Sequence, residues 1–306
     1  MSSFETVRLL QFRAAYNLPI HAGLEIGIFS RHGLALETAY TPSASYLIQC
    51  LKEGSFQIGH TAADDVIADV GSDASSDLFI FMGLHSGLFS LVAASECNSV
   101  ESLRGKSIGV DSENSGFALV LERMLFARGM ARNDYRMIEI GGWESRYGAL
   151  MDRKIAATLL TEPFITRTLE AGCHLLSRDF EMIPSYQGTC GAASRLWAER
   201  HRDVLARYIR AYVKATDWCF SSENRGHCLD ILVRHTSRDR PTAERTLDAL
   251  LDKAHGLYPK AALNLSGVAA ALDLRADLGH LARPVPPAER FIDLSYYNEA
   301  LLVDAT

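Results

Sequence analysis

The 306-residue sequence predicts an α/β protein built as two lobes with a ligand cleft between them. Three observations carry this. Short apolar runs alternate with helix-period segments over residues 7–84 and again over 107–176. Polar turns rich in Ser, Asn, Gly and His follow the ends of those runs, where open α/β sheets bind their ligands. After Ser194 the composition turns helical, so the tail must pack on what precedes it. With 48% hydrophobic residues, a chain of this length buries a large core and divides into two lobes.

The elements follow in order. Residues 7–12 form a strand, and 17–28 a helix closed by the turn at 29–33. Residues 34–40 are the second strand, and Thr-Pro-Ser-Ala-Ser at 41–45 opens a helix to Lys52 that Gly54 ends. The third strand, 56–59, is followed at once by His-Thr-Ala-Ala-Asp-Asp at 60–65 and a short helix to Val70; 77–84 is the fourth. This alternation argues for a mostly parallel sheet covered by helices. Residues 88–95 leave as a strand and 100–103 make a short helix before the buried strand 107–110. The turn 111–116, a helix to Gly129, a strand at 135–140, the turn 141–146 and a helix to Arg153 come next. A strand at 155–160, a helix ending at Gly172 and a strand at 173–176 complete the second unit, and near 183–192 the chain returns to the first. Helices are expected at 197–222, 225–234, 242–255, 267–281 and 293–303, with a Pro-rich linker at 284–287. Lobe I is thus 1–87 plus 185–306, and lobe II 88–184.

Composition excludes several functions. The net charge is −6 and Lys and Arg are scattered, which does not suit a nucleic-acid partner. Six cysteines occur without a C-x-x-C pair, so zinc and redox spacings are absent; they read as reduced core residues, and no metal site is expected. No apolar run reaches about 18 residues, so no membrane span is expected. There is no phosphate-cradling Gly-rich loop and no Ser-His-Asp order, and no cofactor is implied. The first residues lack a basic segment followed by an apolar one, so the expected location is the cytoplasm.

Six stretches carry a family resemblance. Gly-Lys-Ser-Ile-Gly-Val-Asp at 105–111, Ser-Gly-Phe-Ala-Leu-Val-Leu at 115–121, Gly-Gly-Trp-Glu-Ser-Arg-Tyr at 141–147 and Thr-Glu-Pro-Phe at 161–164 are four of them. The others are Gly-Leu-Glu-Ile-Gly-Ile-Phe-Ser-Arg-His-Gly-Leu at 23–34 and Gly-Ser-Phe-Gln-Ile-Gly at 54–59. Together they resemble the type II periplasmic-binding-protein fold, in particular the sulfonate, taurine and nitrate binding proteins and the thiamine-pyrimidine-synthase-like group. The resemblance covers roughly residues 6–220 and implies two crossover strands and a ligand held between lobes.

Carried over by position, it marks the strand ends as cleft residues. Arg13 and Tyr16 follow strand one, Ser43 and Ser45 strand two, His60 and Thr61 strand three, and His85 and Ser86 strand four. The other lobe offers Ser112, Asn114 and Ser115, then Trp143 and Arg146, then Thr161 and Glu162. The 111–116 turn lies at a helix N-terminus, which favours an anion, although Ser112 or Asn114 could do no more than cap the helix. Arg146 offers a planar fork for a carboxylate or sulfonate, or serves a scaffold ion pair. Trp143 stacks on an aromatic ligand or packs; Glu162 begins a helix or acts as a base; His85 lines the cleft or only turns the chain.

Some cytoplasmic proteins of this superfamily are enzymes, and His60-Thr-Ala-Ala-Asp64 and the 141–146 turn resemble the catalytic His-X-X-X-Asp and Gly-X-Trp-Glu-X-Arg of the aromatic sulfinate desulfinase. The desulfinase's nucleophilic Cys after strand one and its Arg after the His have no counterpart here, and the pyrimidine synthase's Cys-rich motif and strand-three Lys are also missing. The expectation is therefore a cofactor-free lyase, such as a decarboxylase of a small aromatic carboxylate, with His60 as proton donor and Arg146 or Arg13 holding the anion. The alternative is the solute-binding component of an ABC importer for sulfonate-, nitrate- or taurine-like anions, partnered by a permease and without catalysis.

Overall fold

The computed structural model describes residues 4–178, 181 and 185–302, and consists of two five-stranded sheets with helices around them. In the first sheet the order is β2 (Leu34–Tyr40), β1 (Glu5–Gln11), β3 (Ile58–Ala62), β10 (Thr189–Ser194) and β4 (Leu78–Gly83). The second runs β7 (Arg136–Glu139), β6 (Ser107–Val110), β8 (Ala157–Thr161), β5 (Phe89–Ala93) and β9 (His174–Arg178).

Each sheet is mostly parallel, as expected, with one strand running against the other four. β1 pairs in parallel with β2 and β3, but β10 lies antiparallel between β3 and β4. In the second sheet β5 runs antiparallel to β8 and β9. The cause is connectivity: β5 leaves one lobe and β10 returns from the other, each against the direction of its neighbours. The two passages touch backbone to backbone, since a Cβ on Gly188 would sit 2.5 Å from the Gly87 nitrogen.

Pairing with β10 also lengthens β3. Thr61 and Ala62 stand opposite Cys190 and Thr189, so His60 and Thr61 lie inside the third strand and not after it. The helix expected at 17–28 breaks at Gly27, whose φ of +74° ends it, leaving α1 (Leu18–Glu25) and α2 (Ile28–Arg31). The one expected at 197–222 divides at His201 into α8 (Arg195–Arg200) and α9 (Arg202–Phe220). That at 242–255 stops at Leu250 in α11 (Arg240–Leu250). Residues 182–184, in the expected return segment, and Val303, at the end of the last helix, lie outside the described residues.

Local sequence explains the remaining helices. Ser43 caps α3 (Ala44–Lys52) and Ser115 caps α5 (Gly116–Phe126), each accepting a backbone N–H three residues on. α4 (Ala63–Ser72) begins with two aspartates, which suit its positive end. The second lobe adds α6 (Trp143–Met151) and α7 (Phe164–Glu170), and the tail α10 (Arg225–Thr236). α9 buries Tyr208, Ile209 and Tyr212 against the first sheet beside Val7, Leu9 and Ile58, and each large apolar side chain so buried contributes roughly 1.5–3 kcal/mol.

The tail then crosses the seam. α12 (Leu265–Asp277) places Val268, Ala271 and Leu272 in one core cluster with residues of α4 and α5, so the two lobes share that core. Among the described residues no helix is long and apolar enough to cross a membrane.

Candidate functional site

β1 ends at Gln11 and turns through a short 3₁₀ segment, Ala15–Asn17, fastened by the Asn17 amide donating to the Phe12 carbonyl at 2.7 Å. That turn carries Tyr16 to the seam, where its hydroxyl accepts from Trp143 Nε1 of the second lobe at 3.3 Å. The Tyr16 ring lies 4.4 Å from that of His85, at the hinge. Burial pushes the Tyr16 phenol up, so it is a neutral hydrogen-bonding group.

Arg146 follows Trp143 by one helical turn, and its guanidinium lies 4.3 Å from the indole centroid. It is 1% exposed. One nitrogen donates to the Leu159 carbonyl at 3.1 Å, whereas its buried Nε has no acceptor among the described residues. Burial lowers its pKa while Asp111 and Tyr16 raise it, and a guanidinium stays charged throughout. Asp111, closing β6, accepts from the Ser115 hydroxyl at 2.6 Å through Oδ1, and its buried Oδ2 has no partner among the described residues.

The first lobe brings Asp65 to the same seam. One of its oxygens accepts from the Thr61 hydroxyl at 2.6 Å and the Ala62 N–H at 3.2 Å. Burial, then the charges of Asp111 and Asp64, raise its pKa to about 7; a hydrogen bond from the Gly116 N–H acts against that rise. Gln11 adds a buried amide of which neither polar atom has a partner among the described residues. Buried polar atoms are nearly always matched in native proteins, so this concentration of unmatched ones marks a place for a ligand or ordered water.

His60 belongs to the same set, since its buried Nδ1 has no partner among the described residues. On β3 it stands opposite Gln11, and its Nε2 meets the Tyr208 hydroxyl on α9 at 2.8 Å. Burial, reinforced by His85, lowers its pKa to about 3. The imidazole is therefore neutral across the working range and has no acidic proton to lend. His85 is likewise lowered to about 3 by burial, and its Nδ1 accepts from the Gly87 N–H at 3.2 Å.

The other sequence-derived residues divide between seam and scaffold. Thr161 is buried at the end of β8. Ser43 accepts from the Tyr46 N–H, and its hydroxyl lies 3.1 Å from that of the exposed Ser45. Glu162 accepts from the Thr166 N–H and hydroxyl, and burial raises its pKa. Arg13 is exposed and stacks over Tyr40 at 4.3 Å. Ser115 caps α5, Ser112 is half-buried and the Asn114 side chain is exposed.

Asp64, four residues after His60, is engaged by the tail. It forms a buried ion pair with Arg275 of α12, which donates through Nε at 3.0 Å and also reaches the Asn114 carbonyl at 2.9 Å. One side chain of the tail thus joins both lobes. The sequence reading passed over Asp111 and Gln11 as site residues, although Asp111 lies in the 111–116 turn and Gln11 is a polar residue closing an apolar strand. Arg275, 211 residues from Asp64, gave no local signal. Among the described residues no three His, Cys, Asp or Glu side chains are grouped to hold a metal ion.

The geometry can be set beside known proteins. The sequence model of the NMT1-like family matches residues 5–233. No curated protein sequence matches the chain. Solved structures share its fold at low identity. The periplasmic nitrate-binding protein of Synechocystis PCC 6803 superposes with a TM-score of 0.81 at 11% identity, over 97% of this chain and 88% of that one. The ligand-binding component of an ABC-type import system from Staphylococcus aureus, with zinc bound, gives 0.78 at 15%, over 97% and 99%. The alkanesulfonate-binding protein of Xanthomonas axonopodis pv. citri, bound to MOPS, gives 0.76 at 18%, over 95% and 99%. The two-lobed periplasmic-binding-protein fold is that of this chain.

Proposed function

The chain belongs to the NMT1-like family, and from that premise we propose that it is a binding protein that closes its lobes over a small anionic molecule and releases it unchanged. The observation that carries this is Arg146, a cation buried at the seam whose Nε has no acceptor among the described residues. A buried charge is stable only with hydrogen-bonding partners, and an anionic group between the lobes would supply the acceptor that is missing. The ligands of two structural neighbours, nitrate and an alkanesulfonate, belong to the same class.

The lyase expectation has weaker support. Loss of carboxylate without a cofactor needs a proton donor, and burial keeps His60 neutral with its Nε2 engaged by Tyr208. Binding without chemistry asks only for closure around matched polar groups. Entry would follow the groove of about 510 Å³ along the seam, lined by Phe12, Arg13, Thr41, Gly141 and Trp143. By analogy with the import-system component and the periplasmic nitrate binder, we infer that this chain works on the outer side of a membrane and passes its ligand to a permease.

Calorimetry with methanesulfonate, nitrate, taurine and benzoate tests the reading. At least one should bind at one per chain, and Arg146→Gln should weaken it by 2 kcal/mol or more, about 30-fold, since a charge-assisted contact is lost in a buried site. Production of carbon dioxide or sulfite from any bound acid would overturn it.

A further inference from the structure

Three arginines converge on one small pocket at the edge of the two lobes. A cavity of about 150 Å³ opens at the rim of the seam, lined by Arg13, His21, Arg167, His235 and Arg238, with Glu144 as the one acidic side chain. The residues come from three parts of the fold: Arg13 and His21 from the start of the chain, Arg167 from α7 of the second lobe, and His235 and Arg238 from the end of α10 and the loop after it. Three guanidiniums therefore face one carboxylate in a chain whose net charge is −6.

The aromatic neighbours fix how these cations are used. Arg13 lies 4.3 Å over the Tyr40 ring and Arg167 3.9 Å over Tyr147, so the flat faces are covered and the edge N–H groups remain. Among the described residues neither side chain donates a hydrogen bond or enters an ion pair, and Arg238 gives only its Nε, to the Thr236 carbonyl at 3.2 Å. The imidazoles of His21 and His235 stack at 3.6 Å and 14°. His21 is lowered to about 3 by burial, then by His235 and Arg13, with Glu25 acting against the fall.

We propose that this rim pocket binds a tetrahedral oxyanion of the phosphate class, held by Arg13, Arg167 and Arg238 and by N–H donors of the stacked histidines. The volume decides the size of ligand: 150 Å³ is below the roughly 300–1,000 Å³ of sites that enclose whole organic ligands, so the pocket takes a charged group. Forked guanidiniums match oxyanion geometry. The anion would tie Arg167 of the second lobe to Arg13 and Arg238 of the first, stabilising the closed arrangement. The adjoining seam groove shares Arg13, Tyr40 and Glu144 with this pocket, so the oxyanion could be a free ion or the head of a molecule whose body occupies that groove.

Titration calorimetry of the full chain with inorganic phosphate and with phenyl phosphate separates the outcomes. Both should bind at one per chain, and Arg167→Gln and Arg238→Gln should each weaken them by about 10-fold or more. Equal affinity for the two probes identifies a free ion; phenyl phosphate tighter by about 10-fold identifies an organic oxyanion. Absence of binding by either probe at about 10 mM overturns the proposal, as does phosphate binding that survives both rim variants. Far-UV circular dichroism of the variants excludes unfolding as the cause. Because Arg146→Gln reports on the central seam and Arg167→Gln on the rim, failure of one reading leaves the other standing.

Discussion

Asp65 of the first lobe and Asp111 of the second are both buried at the seam, where burial first and the charge of Asp111 second raise the pKa of Asp65 to about 7. Closure therefore keeps a proton that the unfolded chain releases near the ordinary value of 3.8. Between those two values the native form binds more protons, so its stability falls as pH rises and levels off above about 7. Asp65→Asn removes this group from the titration. The melting midpoint of the wild type relative to the variant should fall between about pH 4 and 7; a difference that is flat or rises in that window would refute the assignment.

Gly116 sets how closely the lobes meet. A Cβ there would lie 2.5 Å from the Asp64 Cβ, a distance that real side chains do not adopt. Gly116→Ala should strain the closed form by about 1–3 kcal/mol and lower affinity for the seam ligand by about 5- to 100-fold. Small-angle scattering of the ligand-saturated variant should show a larger radius of gyration than the wild type. Unchanged affinity would mean that the seam can shift to make room.

The ion pair of Asp64 and Arg275 is 1% and 4% exposed, so removing one partner strands a buried charge. Arg275→Met should cost about 3–5 kcal/mol in urea unfolding. The double change Asp64→Leu with Arg275→Met should recover most of that loss, because the unpaired carboxylate is gone.

Tyr208→Phe isolates the role of His60. The change deletes only the hydroxyl that meets His60 Nε2 at 2.8 Å, leaving a buried polar atom unmatched at a cost of about 1–3 kcal/mol. Chemical denaturation should report that loss, and calorimetry should show seam affinity unchanged. A large fall in affinity without a stability loss would return His60 to the ligand.

Much of the fold was legible because its signals are local. β2 and β6 have the bounds that their apolar runs mark, and the caps Ser43 and Ser115 are visible in sequence. The strand that returns antiparallel between β3 and β4 was not, since pairing across about 130 residues leaves no periodic trace. That pairing extended β3 and put His60 inside a strand, facing α9 in place of a helix entrance. Arg146 and Tyr16 were legible from strand-end positions, whereas Asp64 found its partner on a tail helix that no motif marks.

The central claim is that the seam binds a small anion and leaves it intact. The most direct measurement is mass spectrometry of small molecules released by denaturing the purified wild type and Arg146→Gln, followed by return of the recovered compound to fresh protein under NMR. The account predicts an anionic compound in the wild-type extract that is depleted in the variant and unchanged after incubation with fresh protein. The same compound at equal levels in both extracts, or its conversion into a product by fresh protein, would contradict it.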